Sequence, residues 1–378
     1  MLVEEERPNA AGTPRCRLSQ PRAGWCSRKM LGDALAPPPP PLPTAPEDRA
    51  ALFRAVPPGE RVATEKDVDD RLAASFKQAY VQTYPTHDAR WFAAARRRGA
   101  VPAGARVLCC VGDSITHGDA AVSPDWVDVL QKRHPDAWLV NAGVGGDLAH
   151  NVRARAPDVA ALGRVDAFTL LVGTNDARFL CGCDATCSDR MTTSYYAAQK
   201  KVPFGWKASP DLGGATPAFP SVARYVADVA AIVDGLTGRA KTPILVVSVP
   251  PLGDRVADFG DGDAEAAKAD AVVRAMNAGL REVCAARPHA TYGAFHEACE
   301  ARLAGLAATR PLTPYSAKAS NQLVADATKG RAVHGRTFDA VGESLGLVHC
   351  CDMIHPTEQA IFPLLELAES FLFPPDSP

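Results

Sequence analysis

Ser114, Asp352 and His355 are the residues of this 378-residue chain whose types and spacing suit chemistry at a carbonyl carbon. Acyl transfer to a serine needs a hydroxyl beside an imidazole base. It also needs a carboxylate that holds the imidazole in one tautomer, and donors aimed at the developing oxyanion. Ser114 stands in "RVLCCVGDSITHG", just past an apolar run. Asp352 precedes His355 by three residues in "CCDMIHP", close enough for one loop to carry both and to offer the carboxylate to the far ring nitrogen. Candidate oxyanion donors are the backbone N–H groups of Ser114 and Gly146, the latter in "NAGVGGD", where a side chain would crowd a substrate. The side-chain amide of Asn175, in "LVGTNDA", is a third. Taken singly, each is an ordinary turn or helix cap. Their joint occurrence points to a nucleophilic serine.

The elements that must position these residues read as strands alternating with helices. "ARVLCCVG", "AWLVNAG", "VDAFTLLVG", "TPILVVSVPPL" and "ATYGAF" are short apolar runs with strand character. Between them lie helical patterns, among them "SPDWVDVLQKRHP", with Ser123 as its N-cap and Pro124 at its first position, and "SVARYVADVAAIVDGLTG", closed by glycine. "TEQAIFPLLELAESFLF" reads as a final helix, and "LGLVHCC" before it as a strand. Strands apolar on both faces, separated by helices, predict a parallel sheet covered on both sides: a three-layer α/β/α domain over residues 104–375. In such domains ligands bind at the carboxyl ends of the strands, where all five candidate residues fall.

Several other residues compete for a role. "GESLG", residues 342–346, has the G-x-S-x-G form of a nucleophile elbow. A helix end leads into it and a strand follows it, the reverse of an elbow, and Asp352 and His355 come too soon after it. Ser344 is therefore set aside. His117 reads as a rim residue turned away from Ser114, with a possible substrate contact. Asp113 and Asp176 read as loop braces, and His349 as a packed or surface histidine on the strand before the last helix.

Composition bounds the alternatives. A net charge of −2 leaves no basic footprint for nucleic acid, and no stretch approaches the ~20 apolar residues of a membrane helix. The leading "MLVEEERPNAAG" has no apolar core of a secretory signal. Initiation at Met30 would not supply one, and this favours the cytoplasm. Residues 1–60, with "APPPPPLPTAP", read as a disordered proline-rich tether that also has the form of an SH3- or WW-type ligand. Residues 61–103 read as a helical arm packed on the main domain. Residues 177–216 read as an irregular insertion, either a cap over the substrate pocket or a surface excursion. It holds Cys181, Cys183 and Cys187, whose spacing is not a standard zinc pattern. Eleven cysteines are too few for a disulfide scaffold, and the pairs Cys109-Cys110 and Cys350-Cys351 read as buried small hydrophobes.

"GDSITHG", "NAGVGG", "GTND" and "DMIHP" resemble, in order, the four signature blocks of the SGNH (GDSL-type) hydrolase superfamily. The resemblance spans residues 105–373, and "GDSI" stands where the family more often has "GDSL". The family's Ser, Gly, Asn and His correspond to Ser114, Gly146, Asn175 and His355, and its triad Asp to Asp352. The resemblance implies a flavodoxin-like α/β/α fold and ester hydrolysis through an acyl-enzyme, with no metal or organic cofactor. The implied substrate is a small-molecule, lipid or carbohydrate ester. Acyl transfer or carbohydrate deacetylation at the same site is the alternative within the class. An alternative of another class is a silent flavodoxin-like binding module with "GVGGD" as a phosphate loop. That loop lacks the G-x-G-x-x-G spacing and the lysine of a nucleotide site.

Overall fold

The computed structural model describes residues 104–118, 123–182, 221–254 and 263–374 apart from 333 and 335, the strands within 3–27, and the single positions 92, 96 and 101. Five parallel strands form the central sheet: β4 (Val107–Gly112), β5 (Trp138–Gly143), β6 (Ala167–Leu171), β7 (Ile244–Val247) and β8 (Ala290–Gly293). β1 (Val3–Pro8), β2 (Pro14–Leu18) and β3 (Gly24–Ser27) form a separate antiparallel meander, where composition predicts no regular structure. Hairpin pairing of neighbouring segments closes only short loops, so its entropic cost is small. The polyproline stretch and all of the expected helical arm over 61–103 except positions 92, 96 and 101 lie outside the described residues.

The order in the large sheet is β5-β4-β6-β7-β8, the doubly wound order in which the first strand of the parallel sheet lies between the second and third. The winding therefore reverses, so the connections after β4 and β6 lead to opposite faces of the sheet, which opens a crevice at their carboxyl ends. Register keeps those ends level: Gly112 lies opposite both Gly143 of β5 and Leu171 of β6. The loops after all three strands emerge on one rim.

Strand β4 shows why the sheet is covered twice. Successive side chains alternate between faces. Val107, Cys109 and Val111 join one apolar core, while Leu108 and Cys110 join the other. Helices α3 (Ala149–Ala160), α5 (Val222–Thr237) and α6 (Ala264–Ala285) pack on the first face through Val152, Val229 and Val273. Helices α2 (Trp126–Arg133), α7 (Phe295–Ala307) and α10 (Glu358–Leu372) pack on the second through Leu130, Phe295 and Leu365. Burial pushes the Cys109 thiol well above its ordinary range and Cys110 up to about 12, so both sulfurs stay protonated and pack as apolar groups. The three-layer architecture expected from the alternation is the one observed.

Local expectations shift in three places. The N-cap of α2 is Asp125 rather than Ser123, because the Asp125 carboxylate accepts the Asp128 N–H at 2.9 Å. Residues 177–182 are not irregular: they belong to helix α4 (Thr174–Gly182), which "GTND" opens, while 183–216 lie outside the described residues. "LGLVHCC" is not a strand and carries only an isolated bridge between Cys350 and Pro356. Of the expected N-terminal arm, Phe92 is described and buried. It meets Trp138 edge-on at 6.1 Å, and Arg96 donates to the Leu162 carbonyl at 2.7 Å.

Candidate active site

Ser114 opens α1 (Ser114–His117), a single turn capped by Asp113, whose carboxylate accepts the Ile115 N–H at 3.0 Å. First-turn N–H groups have no acceptor within their helix, so the Ser114 N–H points outward as a donor. The turn is held from behind by Trp126, fully buried, whose indole N–H donates to the Ile115 carbonyl at 3.0 Å.

His355 and Asp352 approach on the loop that precedes α10. The Ser114 Oγ lies 2.8 Å from His355 Nε2, across 241 residues of sequence. His355 Nδ1 lies 2.6 Å from Asp352 Oδ2. A carboxylate acceptor there places the ring proton on Nδ1 and leaves Nε2 with its lone pair toward the serine. The other carboxylate oxygen, Asp352 Oδ1, accepts the backbone N–H groups of Ile354 at 3.0 Å and His355 at 2.7 Å. Asp352 thus folds the loop around itself and orients the imidazole. The turn is tight enough to put Met353 at φ 69°, a left-handed conformation uncommon for a side-chain-bearing residue. The Met353 carbonyl is tied down by the Gly253 N–H at 2.9 Å.

The expected oxyanion donors line the neighbouring loops. Gly146 is exposed, in a left-handed conformation at φ 75° that suits glycine. Asn175, the second residue of α4, donates one amide hydrogen to the Asp147 carbonyl at 3.1 Å, and a second amide hydrogen remains. Asp147 is fixed by a buried ion pair with Arg155 at 2.8 Å, and the Arg155 guanidinium also donates to the carbonyls of Ala142 at 2.7 Å and Gly112 at 2.9 Å. One arginine therefore staples the ends of β4 and β5 to the loop that orients Asn175. Sequence reasoning missed both residues of that pair.

Asp254 was missed as well. It follows β7, and its buried carboxylate accepts the backbone N–H groups of Val348, His349 at 3.2 Å and Cys350 at 3.0 Å. Those N–H groups are the ones a strand would have given to a neighbour, which explains the missing strand. Burial raises the Asp254 carboxyl above its ordinary range, while the three N–H groups pull it back. Removing the acceptor strands three donors at ~1–3 kcal/mol each, less whatever the loop recovers by relaxing. Asp254→Ala is expected to lose about 3 kcal/mol in urea unfolding. A loss below about 0.5 kcal/mol would mean that the loop does not depend on it.

The remaining candidates occupy structural positions. His117 is buried rather than on the rim, with Nδ1 3.3 Å from the Gly143 carbonyl. Gly143 has no room for a side chain, because the His117 backbone lies against it. His349 is fully buried, and burial pushes it down to about 3, so it is neutral. Ser344 ends α9 (Phe338–Ser344), the helix after α8 (Ala317–Ala332), and donates to the Val341 carbonyl at 2.8 Å. Cys181 is a buried free thiol, and Cys183 and Cys187 lie outside the described residues.

Asp113 and Asp176 brace the rim from within. Asp176 accepts the Ala149 N–H at 3.0 Å, at the start of α3. Burial pushes Asp113 up to about 7 and Asp176 up to about 8. A carboxyl with a raised value in the folded state binds more protons there than when unfolded, so stability falls as pH rises between about 4 and 8. Asp176→Asn keeps an acceptor for Ala149 and removes the buried charge. Above pH 8 it is expected to raise Tm by ~2–4 °C, the effect of about 1 kcal/mol in a domain of this size. Near pH 4 the gain should vanish; a gain independent of pH would refute the buried-charge explanation.

Comparison with known proteins gives the family. The sequence matches the GDSL-like lipase/acylhydrolase family over residues 110–358, about two thirds of the chain. No curated protein matches. Among solved structures, a catalytic mutant of Axe2, an acetylxylan esterase from Geobacillus stearothermophilus, is 10% identical with a TM-score of 0.41, over 71% of this chain and 94% of that one. TesA is 18% identical with a TM-score of 0.37, over 71% and 99%. A lipase/acylhydrolase from Enterococcus faecalis is 14% identical with a TM-score of 0.38, over 70% and 95%. Similarity at that level adds no weight, and the assignment rests on the family match over the segment that carries all five candidate residues. The chain belongs to the GDSL-like lipase/acylhydrolase family and is a hydrolase of ester bonds.

Proposed function

We propose that the protein cleaves carboxylic esters of small molecules through an acyl-enzyme on Ser114. The observation that carries this reading is the continuous relay from the Ser114 Oγ through both nitrogens of His355 to Asp352, at 2.8 and 2.6 Å. Ser114 attacks the ester carbonyl as His355 Nε2 takes its proton, and Asp352 stabilises the imidazolium without itself being protonated. The oxyanion is held by the N–H groups of Ser114 and Gly146 and the free amide hydrogen of Asn175. His355 returns the proton to the leaving alcohol. A water molecule, deprotonated by the same nitrogen, then releases the carboxylic acid and regenerates the serine.

Labelling with a fluorophosphonate tests the nucleophile directly, because the probe phosphonylates an activated serine and no other. Hydrolysis of p-nitrophenyl acetate tests turnover. The Asn175 amide makes a separate prediction: Asn175→Ala should lower kcat by ~10²–10³ with KM little changed, the effect of losing one oxyanion donor. An unchanged kcat would remove Asn175 from the oxyanion site.

A further inference from the structure

A second group of chemistry-bearing side chains lies on α6 and α7, at the β7–β8 side of the sheet, outside the serine site. His296, the second residue of α7, is 3% exposed. Its Nδ1 lies 3.1 Å from the Val249 carbonyl. A carbonyl only accepts, so Nδ1 carries the proton, and in the neutral ring Nε2 holds a lone pair. That Nε2 is buried and has no hydrogen-bond partner among the described residues. It faces Glu300 one turn further along α7, 3.4 Å from Oε1. Asp270 of α6 presents Oδ1, also buried and also without a partner. One ligand atom from each of the three residues falls within 4.8 Å of the other two.

Three electron-pair donors converging in this way repel one another unless positive charge stands between them. Arg274 answers part of the need: its Nε donates to Asp270 Oδ2 at 2.8 Å and its Nη2 to Glu300 Oε1, the oxygen that faces His296. Its side chain is 47% exposed, and it leaves both Asp270 Oδ1 and His296 Nε2 unserved. Glu297, also on α7, is engaged by Tyr292 and Arg281.

We propose that Asp270, His296 and Glu300 form a site for a divalent transition-metal cation, with Zn²⁺ the best match. One imidazole nitrogen and two carboxylate oxygens suit zinc, whereas Ca²⁺ and Mg²⁺ favour all-oxygen shells. Ligands about 2.1 Å from an ion at tetrahedral angles lie about 3.4 Å apart, the spacing of His296 and Glu300. The Val249 carbonyl supplies the outer-shell acceptor that orients a metal-bound imidazole. Asp270 completes the site by a small side-chain rotation, water fills the fourth position, and Arg274 releases Glu300 Oε1 to the ion and turns to Oε2. The ion would clamp α6 to α7 and stabilise the fold by mass action.

The test uses the full chain stripped with a chelator, dialysed, and titrated with zinc sulfate by calorimetry and by thermal unfolding. Wild type is expected to take up one Zn²⁺ here with a rise in Tm that Mg²⁺ does not reproduce. Asp270→Asn with Glu300→Gln should weaken that uptake at least 100-fold and remove the rise. These substitutions are isosteric on partly exposed residues, so the test survives even if His296→Ala fails to fold. The proposal is overturned if wild type binds no zinc, or if the double variant binds it equally well. Co²⁺ uptake with a thiolate charge-transfer band that persists in the double variant would likewise overturn it, assigning the ion to cysteines.

Discussion

Ser114→Ala is expected to take no fluorophosphonate label and to lose ester turnover by about 10⁴-fold or more. The substitution removes one oxygen from a residue that is 8% exposed, so the fold should be untouched and Tm nearly constant. What it removes chemically is, among the described residues, the only hydrogen-bond partner of His355 Nε2 and the atom that would bond to the acyl carbon. The oxyanion donors and the bound geometry remain, and such remnants sustain ~10³–10⁴ over the uncatalysed reaction elsewhere. A weak residual activity without a covalent intermediate is thus part of the expected result. Persistence of the label in the variant would sink the assignment, whatever happened to turnover. Because Ser344 sits on α9 with its hydroxyl committed to a helix carbonyl, Ser344→Ala serves as the contrasting variant and should label fully.

The second large effect belongs to Asp352→Asn. Asp352 has two separable functions: Oδ2 fixes the His355 tautomer, while Oδ1 folds the loop by accepting from Ile354 and His355. An asparagine keeps one acceptor oxygen for the backbone but presents N–H where the imidazole needs an acceptor. The ring proton then moves to Nε2, which can no longer accept from Ser114. A tautomer fault of this type costs ~10⁴ in kcat in the Ser-His-Asp template. We expect a loss of that order with KM and Tm little changed. If kcat stayed within about tenfold of wild type, the relay would not be the catalytic device. If Tm collapsed instead, the carboxylate's structural function would outweigh its catalytic one.

The parts of the site that escaped sequence reading share a physical property. Asp254, Arg155 and Asp147 act largely on backbone groups: Asp254 on three N–H groups more than ninety positions away, Arg155 on two strand-end carbonyls, Asp147 through its own carbonyl on Asn175. Every residue carries a backbone N–H and C=O, so such partners leave no signature in residue type or spacing. The lost strand at "LGLVHCC" has the same origin. Its apolar residues do suit a strand, but Asp254 takes the N–H groups that a ladder would use. His117 was misjudged for a related reason, since nothing in "GDSITHG" reveals that the end of β5 packs over it.

Alternation of apolar strands with amphipathic helices was enough, in the sequence alone, to establish a parallel sheet covered on both faces. The motif blocks were enough to name the family and to nominate Ser114, Gly146, Asn175, Asp352 and His355. These are local properties: propensity, capping and residue type act over a few neighbouring positions. Tertiary structure decided the rest. It set the order β5-β4-β6-β7-β8 and the level register that gathers three loops on one rim. It also set the left-handed turn at Met353 that delivers an imidazole to a hydroxyl 241 positions away. Such placement depends on burying both faces of β4 at once, a condition on the whole sheet that no short stretch of chain can express.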